Sequence, residues 1–148
     1  MLVRVQTLLA ALWGGFLLCV ALAAAPTAFA VLERAQAGQF VGRLFGIEAP
    51  VSLAAALILM MLARRLSRDA AEAGVAGAVF SAELVLPAVA LFCTIAGYYG
   101  LQPLMADARA GVGVASFAAL HGASLAFFAL KGLAVLALAW RLSRPRSS

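Results

Sequence analysis

The sequence predicts an all-α integral membrane protein: a four-helix bundle with a short amphipathic interfacial helix between the first and second spans. Three observations carry that reading. Apolar residues make up 66% of the 148-residue chain and charged residues 11%, against about 45–50% and about 25% in ordinary soluble domains. The mean hydropathy is +1.06, which implies more apolar surface than a compact soluble domain of this size can hide. Four runs, residues 7–32, 47–63, 82–100 and 117–140, approach the ~20 apolar residues that cross ~30 Å of hydrocarbon. Together they predict a single transmembrane domain over residues 1–148.

The first run, TLLAALWGGFLLCVALAAAPTAFAVL, has a rival reading. Arg4, the apolar stretch and the small residues at 28–30 resemble a cleavable signal peptide. The length of the run, and the helix-packing look of Trp13, Gly14 and Gly15, favour a retained span. In the connection ERAQAGQFVGRLFG, residues 33–46, Phe40, Val41, Leu44 and Phe45 share one helical face, and the polar residues lie mostly elsewhere. That pattern suits a short helix lying in the outer interface.

The second run is the shortest and is bounded by Glu48 and the pair Arg64–Arg65. RRLSRDAAEAG then reads as a solvated loop with a helical turn. The third helix is expected to extend past Pro103 until Gly111 and Gly113 break it. Trp13, Trp140, Tyr98 and Tyr99 have the form of interface anchors. Gly14, Gly15, Gly42, Gly97 and Gly132 invite close helix approach. Cys19 and Cys93 lie in apolar runs without paired spacing and read as small buried hydrophobes.

The net charge is +5. The basic residues flank apolar runs instead of forming an aromatic-interleaved patch, which points to lipid headgroups and away from nucleic acid. Arg4, Arg64, Arg65, Arg68, Arg141, Arg144 and Arg146 stand on one side, against Arg34, Arg43 and Arg109 on the other. The positive-inside rule then puts both termini and the 64–80 loop in the cytoplasm. The Ala, Gly and Arg bias suggests a bacterial gene, hence a bacterial inner (cytoplasmic) membrane.

Polar groups inside an apolar bundle need a partner or a route to water, so they are the informative residues. Phe117, His121, Ser124, Phe128 and Lys131 follow a 4-3-4-3 spacing and share one helix stripe, expected to face the interior. His121 is expected at the depth of Glu48, making that contact geometrically available. Lys131 is expected to pair with Glu83 or to extend its stem to the inner interface. Glu48 and Glu83 also suit helix starts, where the dipole favours acids. His121, Ser124, Glu48, Lys131 and Glu83 form the candidate polar site. There is no Ser-His-Asp set, phosphate-cradling glycine loop or usefully spaced carboxylate pair, so no catalytic residue is predicted. No cofactor or metal is assigned. His121 alone would need a second axial ligand for haem, from Met60, Met61 or a partner subunit.

Two motifs carry a resemblance. PTAFAVLERAQAGQFVGRLF, residues 26–45, resembles the end of the first span and following helix of the DUF4149 family, which includes the transmembrane protein 205 group. FAALHGAS, residues 117–124, resembles that family's Phe-x-x-Leu-His-x-x-Ser start of the last span. The positions that match are Pro26, Phe29, Leu32, Gly38, Leu44, Phe45, Phe117, Leu120, His121 and Ser124. The chain departs at Phe128, where many members carry Asn, and at Lys131. The resemblance implies a small four-helix membrane bundle whose biochemical role is not established. The leading expectation is a non-enzymatic inner-membrane protein, an accessory subunit or assembly partner, in contact with membrane lipid and a membrane-protein partner or oligomer. The alternative is a small transporter or a metal- or haem-handling protein built on His121.

Overall fold

A computed structural model describes residues 1–74, 80–112 and 115–144. They form four long helices: α1 (Leu2–Val31), α2 (Arg34–Glu72), α3 (Ala82–Arg109) and α4 (Phe117–Ser143), each long and apolar enough to cross a membrane. Neighbours pack in the order α1–α2–α3–α4 and back to α1, so α2 and α4 lie across the bundle from one another. Gly113 and Arg146 fall outside the described residues.

The connection at 33–46 differs from expectation. There is no separate interfacial helix among the described residues, because α2 begins at Arg34 and runs unbroken to Glu72. The only break is at Leu32 and Glu33, whose backbones are extended. Pro50 sits inside α2. Its ring and missing N–H disturb only the hydrogen bond to the Gly46 carbonyl, too little to end a 39-residue helix.

Prolines leave a clearer mark in α1 and α3. Each contains one wide π-helical turn, Cys19–Ala24 and Ile95–Gly100, just ahead of Pro26 and Pro103. A proline ring crowds the carbonyl four residues before it. Here those carbonyls belong to Leu22 and Tyr99, inside the wide turns, and widening moves them aside. Helices α2 and α3 end at Gly74 and Gly111, both with positive φ, where glycine adopts the left-handed cap conformation without a Cβ clash. At the second, the Val112 N–H reaches back to the Asp107 carbonyl at 3.0 Å. Helix α4 opens with Ser116, whose hydroxyl accepts from the Ala119 N–H at 3.2 Å.

The core joins Ala10, Trp13 and Leu17 of α1, Ala55, Ala56 and Leu59 of α2, Ala90 of α3, and Val135 and Leu138 of α4. Its alanines let the backbones approach closely. The outside is greasy: Leu8, Leu12, Leu22, Met61, Phe92, Leu125 and Leu133 are all exposed. An apolar exterior around a small-residue core is what lipid as solvent permits. Of the glycines expected to allow close approach, Gly14 and Gly97 do so, whereas Gly15, Gly42 and Gly132 have open space where a Cβ would go. Trp13 is not an interface anchor but a buried core residue, whereas Trp140 is exposed with the Arg144 guanidinium over its ring. Cys93 is buried as expected; Cys19 is exposed.

Candidate functional site

Glu48 and Lys131 meet in the interior. The Lys131 ammonium donates to Glu48 Oε1 at 2.6 Å, and Lys131 and Glu48 are 3% and 1% exposed. The same carboxylate oxygen accepts a hydrogen bond from the Ser52 hydroxyl, one turn further along α2. Ser52 in turn accepts from the Trp13 indole N–H of α1 at 2.9 Å. Three helices are thus joined through one carboxylate. Lys131 also lies 4.9 Å from the centre of the Phe128 ring, and Phe128 meets Phe45 edge-on at 5.3 Å. Opposite unit charges in direct contact satisfy each other in a medium that would penalise either alone.

Two expected pairings are corrected. Glu48 does not meet His121, and Lys131 neither meets Glu83 nor extends to the inner interface. The cause is the length of α2. Glu48 is no span-end residue, for it stands roughly 21 Å along the helix from Arg34 and roughly 24 Å from Arg64 at ~1.5 Å per residue. Lys131 is roughly 15 Å from Arg141 on α4, and its 2.6 Å contact with Glu48 puts the two head groups at one interior level. Glu83, at the start of α3, instead faces Arg141 at 3.7 Å, both partly exposed.

From His121 onward the α4 stripe turns into the interior. His121 is exposed and Ser124 is half-buried. The Ser124 hydroxyl donates to the Gly97 carbonyl in the wide turn of α3 at 3.1 Å. A Cβ on Gly97 would come within 2.6 Å of Phe127 Cβ, so α3 and α4 cross here in direct contact. The His121 ring stacks on Phe117 at 5.7 Å, and the Arg109 guanidinium lies 4.6 Å from the centre of the Phe117 ring. This cluster joins the end of α3 to the start of α4 and is distinct from the buried pair.

Ser52 and Gln6 are members of the interior that sequence reasoning missed, whereas Trp13 fits its helix-packing reading and not the interface-anchor one. Ser52 is four residues after Glu48 and therefore on its face, a spacing open to reading. Gln6 is 1% exposed, and neither amide atom has a hydrogen-bond partner among the described residues, which nothing in its neighbours in the sequence announces. Among the described residues, no group of three or more His, Cys, Asp or Glu side chains comes together to hold a metal ion.

Four apolar helices that enclose, among the described residues, one buried ion pair define a small four-span membrane protein. The family described as "Domain of unknown function (DUF4149)" matches residues 8–113, and the chain belongs to that family. The matched region includes Glu48, Ser52 and Glu83 and stops short of the α4 motif with His121, Ser124 and Lys131. Neither a curated protein nor a solved structure matches the chain.

Proposed function

We propose that this protein is a non-enzymatic accessory or assembly subunit of a bacterial inner membrane, acting as one transmembrane domain with both termini cytoplasmic. One observation supports this reading above others: the charged groups inside the bundle are spent on each other across its axis. Glu48, Lys131 and Ser52 form a closed polar knot, and the bundle offers its apolar exterior to lipid and to other spans. The first turns of α2, with Phe40 outward, continue the same unbroken helix to the outer end of the bundle in this arrangement.

The test is gentle detergent extraction of the tagged full chain, followed by quantitative protein identification, metal analysis and a visible spectrum. A membrane protein in fixed ratio to the chain, whose abundance falls when the chain is deleted, is the expected result. A chain isolated alone with stoichiometric haem or metal, lost in His121→Ala, overturns the proposal in favour of cofactor handling. Orientation is checked by reporters: one at Ser148 stays cytoplasmic, and one beside Arg109 is exposed outside.

A further inference from the structure

A cleft of about 1160 Å³ runs between α2 and α3 at the arginine-rich end of the bundle. Leu57 and Met61 of α2 and Val85, Ala88 and Phe92 of α3 supply its walls, and apart from Ala88 these side chains are exposed. Arg64, Arg65 and Arg68 line its mouth, and among the described residues no acidic one lines it. Arg65 leans to Asp69 at 3.5 Å. Arg64 and Arg68 are one turn apart on one face and make no ion pair among the described residues. Glu83, the acid nearest this end of α3, is turned to Arg141 of α4.

We infer that this cleft binds an anionic glycerophospholipid, an acyl chain lying along the apolar walls and the phosphate held by Arg64 and Arg68. The assignment rests on the membrane reading above. Charge complementarity selects the headgroup, since a guanidinium pair recognises phosphate oxygens by charge-assisted hydrogen bonds, and basic pockets between spans suit acidic lipids. Depth selects a lipid over a partner helix. The walls from Leu57 to Arg68 cover roughly 16 Å at ~1.5 Å per residue, about half of the ~30 Å hydrocarbon core. That is the reach of one leaflet, whereas a spanning helix needs the whole thickness.

The test is native mass spectrometry of the full chain in non-ionic detergent, with phosphatidylglycerol and phosphatidylcholine of identical acyl chains in equal amounts. Both lipids carry the phosphate, so the preference comes from net charge: the choline cation cancels it beside Arg64 and Arg68, whereas phosphatidylglycerol keeps its full negative charge. At about 1 kcal/mol per arginine, the expected preference is about tenfold or more. R64Q/R68Q brings the preference close to unity and R144Q leaves it intact. A88W fills the cleft and removes the adduct although every arginine remains. Millimolar inorganic phosphate does not displace the lipid. Equal retention of the two lipids by the unaltered chain, an unchanged preference in R64Q/R68Q or A88W, or displacement by phosphate overturns the assignment. So does a photo-crosslinker at Met61 that captures protein instead of lipid in native membranes. Release of the chain from membranes by alkaline carbonate sinks the membrane reading itself; a chain that stays in the membrane and shows no lipid preference sinks only this inference.

Discussion

Lys131 and Glu48 are 83 residues apart in the chain and 2.6 Å apart in the fold. They sit on the diagonal helices α4 and α2, which the packing of neighbours leaves apart. Desolvating two charges costs several kcal/mol per ion, so such a pair adds little or no net stability over well-packed apolar residues. Its effect is on specificity. Only one rotation and one axial setting of α4 bring the ammonium to the carboxylate, and other settings strand both charges.

Lys131→Met and Glu48→Gln each leave the partner uncompensated and should lower stability by about 3–5 kcal/mol. Combining the two substitutions in one chain removes both charges and should recover most of that loss. Denaturant unfolding of the four chains in one detergent gives the coupling directly. Strictly additive losses would show that the two residues act independently.

Trp13→Phe keeps the core ring and deletes the donor to Ser52, with an expected cost of about 1 kcal/mol. Fluorescence provides a second reading, because Trp13 is buried and Trp140 exposed. W140F should leave blue-shifted emission resistant to aqueous quenchers. Red-shifted, readily quenched emission from that variant would contradict the placement of Trp13.

The glycines should divide into two groups. Gly97→Ala drives a Cβ to within 2.6 Å of Phe127 Cβ and should cost about 1–3 kcal/mol by overpacking. Trimming Phe127 to Ala should not rescue it, since the clash is with Cβ. Gly15→Ala and Gly132→Ala meet open space and should stabilise the helices by up to about 1 kcal/mol. Equal thermal shifts for all three would refute the close crossing at Gly97.

His121→Phe should stay within about 0.5 kcal/mol of the unaltered chain, as surface changes do, because an aromatic ring can keep the stack on Phe117. A loss comparable to that of Lys131→Met would mean that His121 has an interior partner.

Helix number and approximate placement are legible in the sequence because hydropathy reports a property of each segment alone. So is the stripe from Phe117 to Lys131, a consequence of helical spacing. Pairing is not legible, because it depends on depth, and depth depends on where a helix truly begins. A second span starting at 47 places Glu48 near the surface, opposite His121; an α2 starting at Arg34 puts it beside Lys131. The amphipathic pattern of 33–46 does not by itself interrupt a backbone, and α2 carries it through Gly46 and Pro50 without a break. The contrast between Gly97 and Gly132 is equally hidden, because open space or contact beside a glycine is decided by the helix opposite.

The diagonal ion pair also bears on the order of events during synthesis. Glu48 emerges from the ribosome long before Lys131, and the cation that neutralises it arrives on the last helix. Until α4 enters, the first three helices hold a carboxyl with no cation opposite, in a medium that resists bare charge. The nascent bundle therefore stays incomplete until its end is made, and a chain truncated within α4 ahead of Lys131 lacks the contact that closes it.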